Sequence, residues 1–526
     1  MRLSRFPALA LTLFLLVPGA LAQYGATEFP NSGAAEAQDA FLRGLLMLHS
    51  FEYVDAREAF QEARRIDPDF ALAAWGEAMT HNHPIWQQQD RDAAVAALGD
   101  WWADIEAGVA VDGITAREAD YLWTLGALYG GDGSKEERDF AYADAMADLS
   151  DAYPDDLDAA SFYALSILGT AHDGRDFAIY MDAAAVVEEV FDVNPEHPGA
   201  AHYLIHAYDD PIHAPLGLRP ARVYADIAPS ASHALHMPSH IYFALGMWDE
   251  GAAMNERSYE AAKTRTDARG EPLNGHGWHA LGWLHYAYLQ QGRIAESDAV
   301  LQNVAELVDS GSMRGRFLLS TLRIHQLAAT EQMPTVAMPE QDEQTPPPLV
   351  ILDAFAHGLN AYYQDDIAEM EQALTAMQEV LGMPTMTAEP NPPLQILGLE
   401  MEALVALKSG DADTARALLG EATALEDEMP LDFGPANPMK PSHELYGEVL
   451  LELDRPEEAW DQFDAALARY PRRARSLLGY ARAAERSGDT ETAHATYALL
   501  ADIWHNADAG LPALAEVQQH AALGMR

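Results

Sequence analysis

Nine of the chain's twenty histidines fall between Pro198 and Tyr286: His202, His206, His213, His233, His236, His240, His276, His279 and His285. An even scatter would put about three in that stretch, so the bias is of the kind that marks metal binding. Spacing says more than number. His202 and His206 are four apart, while His233, His236 and His240 run i, i+3, i+7, and on a helix each set forms one stripe. Neutral imidazole is a common ligand for zinc, copper and non-haem iron. Two imidazoles on one helical face take one side of an ion, and a neighbouring helix can supply a third. Three histidines with an open position suit catalytic zinc; three or four with a methionine or aspartate suit copper. Met237 and Met79 are candidate soft ligands, and Asp209, Asp210, Glu52 and Glu77 are candidate supporting carboxylates.

Other chemistries lack their residues. There is no H-E-x-x-H, no G-x-S-x-G elbow and no glycine-rich phosphate loop. Zero cysteines removes disulfides, thiolate ligands and cysteine nucleophiles. An enzyme on this chain would therefore use a bound metal as Lewis acid, water activator or redox centre. His172, His197, His325, His357, His443, His494, His505 and His520 stand alone and read as hydrogen-bonded or solvent-facing residues. Trp101, Trp102, Trp278 and Trp283 read as packing groups.

The elements that must carry these side chains are helices. From Glu36 onward Ala, Leu and Glu dominate, β-branched runs are scarce, and turn signals recur every 15–20 residues. Before that, Arg2 and Arg5 precede an apolar run from Ala8 to Val17 and a small-x-small site at Ala20-Leu21-Ala22. Residues 1–22 are expected to be a cleaved signal peptide, placing the protein in the periplasm or outside the cell. Residues 23–36 are expected to be a mobile leader. No later stretch is long and apolar enough to span a membrane. Eighty-two acidic residues against 32 basic ones give a formal charge of −50, which disfavours nucleic acid and anionic membranes as partners.

A repeat search succeeds at both ends of the chain. Gly44, Ala56, Phe60, Ala63 and Pro68 occupy places 8, 20, 24, 27 and 32 of a 34-residue unit spanning 37–70. Gly447, Ala459, Phe463, Ala466 and Pro471 occupy the same places in 440–473, and Ala481, Ala493 and Tyr497 continue in register. The pattern resembles the tetratricopeptide repeat. That resemblance implies an all-α solenoid of stacked helix-turn-helix hairpins with a concave face. Proline-rich loops interrupt the array, and 333–348 is the expected linker between an N-terminal array (37–332) and a C-terminal one (349–526).

Phasing the intervening units by Pro154 and Pro195 gives the histidines places in the repeat. His202 and His206 are the fifth and ninth residues of their unit; His233, His236 and His240 are the second, fifth and ninth of the next; His279 is the second of the one after. In tetratricopeptide proteins such places lie on first helices and look into the groove. The resemblance therefore implies that six histidines from three consecutive units share one groove as a transition-metal site, for copper or zinc. It also puts His49, His83, Trp75, Met79 and His276 on groove walls, with Asp209 and Asp210 close by. Pro238 is tolerated only near a helix start, so it could place His233 and His236 in a preceding segment. The expected function is an exported solenoid binding a protein, peptide or small-molecule ligand beside a histidine metal site. The alternatives are a metal-dependent hydrolase or oxidoreductase, and a plain interaction scaffold.

Overall fold

The computed structural model describes residues 23–524, apart from 110–112, 309–311, 337, 343, 389–390 and 432. Residues 1–22, where the signal peptide is expected, lie outside the described part. Helix follows helix along the chain, and the one strand pairing among the described residues is Asn82–His83 with Gln88–Gln89. Short polar side chains start many of the helices. Asp156, Asn274, Asp411 and Asp489 each accept a hydrogen bond from a backbone N–H of the first turn, satisfying a donor that the helix cannot pair itself.

Almost every helix packs on the next in sequence order, and first helices also meet the first helices of adjoining units. The reason is steric and visible at both ends. The Phe60 ring sits where a Cβ on Gly44 would lie 2.9 Å from it and a Cβ on Gly76 would lie 2.4 Å from it. Phe463 stands likewise between Gly447 and Gly479, at 2.8 Å and 2.2 Å. One buried aromatic thus fills the gap between its own hairpin and the following one, and only glycine leaves room for it. The result is an all-α solenoid of stacked TPR-like hairpins.

The solenoid curls until its C-terminal units meet its middle. One hydrophobic cluster joins Trp283, Leu284 and Tyr286 to Leu477, Leu478, Tyr497 and Trp504. Arg473 donates to the Tyr286 hydroxyl (2.8 Å) and makes a two-pronged contact with Glu444 (2.7 and 3.0 Å), while Trp504 donates to the Gln290 carbonyl (3.0 Å). These charges are buried, and Glu444 is further satisfied by Ser476 and Lys440. Such a network holds only when every member is paired.

Two segments differ in character from the sequence expectation. Residues 23–36 are packed against the array: Phe29 is buried and stacks on Trp75 (6.3 Å), Thr27 donates to Asp158 (2.7 Å), and Ser32 donates to Glu118 (2.7 Å from its backbone, 2.8 Å from its hydroxyl). An apolar anchor and satisfied polar groups hold what composition alone would leave mobile. Residues 333–348 form a loop between Met313–Thr330 and Pro347–Tyr363, two helices that pack directly on each other, so the array runs on past it.

His285 and His325 are buried in the helical array with one ring nitrogen unpartnered. His285 donates from Nε2 to Gln326 Oε1 (2.9 Å), an oxygen fixed as acceptor because Gln326 donates from its amide to Asp298 (2.8 Å). Burial pushes both imidazoliums down to about 3. The unfolded chain therefore takes up these protons first as pH falls below about 6.5, and stability present above that pH is lost on acidification. At pH 5 each costs about 2 kcal/mol. Metal-free protein should lose stability between pH 7 and 5, and His285→Leu should flatten the slope by about one proton in denaturant titrations across that range. Separately, Gly479→Ala should lower stability by about 1–3 kcal/mol in thermal melts, because its methyl group would press into the Phe463 ring.

Candidate metal centre

Four helices bring the histidines together: Pro198–Tyr208 carries His202 and His206, Ser232–His236 carries His233 and His236, Pro238–Ala244 carries His240, and Gly275–Gln290 carries His279. Pro238 starts the third of these. Met237 between the two short helices keeps a right-handed helical conformation, so the chain kinks without turning the stripe aside. His233, His236 and His240 stay together. The ring centroids of His202 and His206 lie 4.9 Å apart, those of His202 and His233 5.0 Å, of His236 and His240 5.0 Å, and of His236 and His279 4.5 Å. His202, His206, His233, His236 and His240 are at most 4 % exposed, whereas His279 is open to solvent.

The outward nitrogen of most rings is tied to an acceptor. His202 donates from Nδ1 to the His49 carbonyl (2.6 Å). His240 donates from Nδ1 to Asp209 Oδ2 (2.8 Å). His236 donates from Nδ1 to Asn255 Oδ1 (2.7 Å), and Asn255 is oriented by donating from Nδ2 to the Gly251 carbonyl (2.8 Å). His206 turns Nδ1 toward Asp209 (3.6 Å), which leaves its Nε2 buried without a partner. Since these acceptors cannot donate, the Nδ1 atoms carry the protons and the Nε2 atoms carry lone pairs. The lone pairs of His236 and His240 meet, Nε2 to Nε2 at 3.0 Å, and the His202 Nε2 lone pair lies 3.1 Å from His233 Nε2.

Burial keeps four of the rings neutral. Burial pushes His202, His233 and His236 well below the ordinary histidine range, and the neighbouring imidazoles push the same way. His240 is lowered by burial as well, against the pull of Asp209. Asp209 is fully buried. Burial would raise its pKa, but Arg175 and the hydrogen bonds from His206 and His240 outweigh that and hold it below the ordinary aspartate value. Arg175 is ion-paired to Asp209 Oδ1 and lies 3.3 Å from Asp210, which in turn receives the His213 Nδ1 proton (2.8 Å).

Beside the cluster lies a cavity of about 750 Å³, walled by Phe51, Trp86, His233, His276, His279 and Arg314. His83 also faces it, stacked on Tyr53 (3.9 Å between centroids). On the other side Phe433 stacks on His240 (4.5 Å), and Trp283 stacks on the same ring (4.6 Å). Gly434 has φ +97°, and a Cβ there would lie 2.4 Å from Trp283, so glycine is what lets this loop close down.

The remaining expected groove residues fall elsewhere. Trp75 is fully buried under Phe29 and Tyr121, because residues 23–36 cover that part of the groove. His49 is buried between Asp158 (2.8 Å) and Tyr203 (2.9 Å), and acts on the cluster through its carbonyl rather than its ring. Met79 is buried beside the Tyr142 hydroxyl (3.7 Å). Asp209 and Asp210 stand behind the histidines rather than in the groove. Glu52 accepts from the His233 backbone N–H (3.1 Å), and Glu77 is taken up by Arg64 and Gln61. Sequence reasoning missed Arg175, Asn255 and Phe433, which come from a loop, a second helix and a distant unit. It also missed Asp158, which gathers His49 and His197 into a separate buried group.

No family model matches the chain, and no curated protein sequence does. Solved structures match over most of their length at low similarity. The human IFIT1 dimer with m7Gppp-AAAA is 12% identical, covering 96% of this chain and 91% of that one, with a TM-score of 0.35. The Cut9-Hcn1 hetero-tetramer of the APC/C is 12% identical, covering 95% and 78%, at 0.31. Yeast Tom70 is 11% identical, covering 93% and 88%, at 0.29. At these TM-scores the fold assignment stands on this chain's own helix pairing and repeat packing.

Asp209→Asn should lower affinity for Zn(II) by about 10–100-fold, since an outer carboxylate that orients two ring ligands typically has that weight. Competition titration against a chromogenic chelator reads this directly.

Proposed function

We propose that this protein binds a divalent transition metal, zinc or copper, in its histidine cluster and presents it to a protein, peptide or small-molecule ligand in the adjoining cavity. The observation that carries the reading is the His236–His240 pair. Both Nδ1 atoms give their protons to acceptors, so two bare Nε2 lone pairs face each other at 3.0 Å. Without a cation between them that contact is repulsive, and burial resists resolving it by adding a proton. Two imidazole nitrogens on one tetrahedral zinc are about 3.3 Å apart, close to the observed separation. His279 supplies a third ligand atom within 4.8 Å of the other two. Asp209 and Asn255 are then the outer partners that fix ring orientation, as metal-bound imidazoles require.

Export through residues 1–22 belongs to the same proposal, because copper and zinc are both met outside the cytoplasm. The net charge of −50 favours dications over anionic partners.

Protein purified without a histidine tag, stripped with chelator and reloaded with Zn(II) or Cu(II), should retain metal through gel filtration, as read by elemental analysis. A hundredfold excess over Kd should stabilise it by about 2.7 kcal/mol, seen as a higher melting temperature. His240→Ala should lose the metal held with His236 and His279 and the share of the stabilisation that this metal supplies. Unchanged metal content in His240→Ala would overturn the assignment.

A further inference from the structure

We infer that the cluster holds two divalent transition-metal ions side by side, one on His236, His240 and His279 and one on His202, His206 and His233. This rests on the metal-binding reading above and extends it from one ion to a pair.

The two close Nε2 contacts cannot be served by one ion. His202/His233 and His236/His240 fall into separate groups of ligand atoms, each group within 4.8 Å, and the groups are linked through His206, Asp209 and His240. The second triad has its own open ligand atoms. His202 Nε2 is unprotonated because Nδ1 donates to the His49 carbonyl, His233 Nε2 stands 3.1 Å from it, and His206 Nε2 is buried with no partner. A buried ring nitrogen left unpaired costs free energy that a ligated metal would recover.

The triads are also neighbours. The His206 and His240 rings are 5.7 Å apart and those of His233 and His236 are 6.2 Å apart, no further than the 6.3 Å between His206 and His233 within one triad. Asp209 reaches both sets, through His240 at 2.8 Å and His206 at 3.6 Å. One histidine of each triad, His233 and His279, lines the same 750 Å³ cavity. Both ions would therefore be reached from one cavity by an oxygen ligand such as water, hydroxide or a carboxylate.

Calorimetric titration of the stripped, untagged full-length chain with Zn(II), checked by elemental analysis, should saturate at two ions per chain. His202→Gln/His233→Gln and His236→Gln/His279→Gln should each retain one ion, while the exposed control His357→Gln should retain two. With Cu(II), integrated EPR intensity of the wild type should fall short of its copper content through coupling, and each double variant should recover full intensity for its remaining ion. Saturation of the wild type at one ion overturns the pair and leaves single-metal binding standing. Two ions retained by either double variant also overturns the pair. No bound ion overturns both readings. The wild-type stoichiometry decides the question even where a double variant fails to fold.

Discussion

A carboxylate taken entirely out of water survives as an anion only if its surroundings return what hydration gave it. Asp209 meets that demand with Arg175 on one oxygen and two imidazoles on the other. The rest of the centre depends on this choice. Because the carboxylate stays charged it can only accept, so His240 must present its proton outward and its lone pair inward. His206 is turned the same way. A protonated or absent Asp209 would let either ring change tautomer, and the convergence of Nε2 atoms would vanish.

The solenoid supplies the second constraint, which is closure. Stacked hairpins touch only their neighbours, so a groove residue normally sees two or three units. Here the clamp of Arg473, Glu444 and Tyr286 draws the C-terminal units onto the Gly275–Gln290 helix. The same approach lays Phe433 over His240 and packs Gly434 against Trp283. Residues near position 430 thereby desolvate histidines some two hundred residues earlier. Desolvation in turn lowers the imidazole pKa values and keeps the lone pairs available at neutral pH.

The repeat was legible because it is enforced by hard contact. Phe60 and Phe463 leave no room for any side chain at Gly44, Gly76, Gly447 and Gly479, so spacing survives where most other positions drift. The histidine stripe was legible for the related reason that a repeat register fixes which way a helical side chain points. What failed was the reading of His49, Trp75 and Met79. Their repeat places are groove places, but Phe29 fills that groove and the curling chain brings Tyr203 and Asp158 onto His49. Arg175 and Asn255 carried no signal, because an outer-shell partner is defined by a contact across units and not by any spacing along one.

Six clustered histidines are a poor way to build a core. Replacing them with leucine or phenylalanine would bury apolar surface, remove the unpartnered Nε2 of His206, and end the lone-pair conflict between His236 and His240. Glu444, by contrast, is met on both oxygens, by Arg473 twice, Ser476 and Lys440, whereas His206 Nε2 has no partner and the His236 and His240 lone pairs face each other. Local conflict of this kind concentrates where function sets the residue types against stability. The conflict also has a direction. His236 and His240 each give their Nδ1 proton to an acceptor, so their facing Nε2 lone pairs at 3.0 Å are what an electron-pair acceptor such as a cation would relieve.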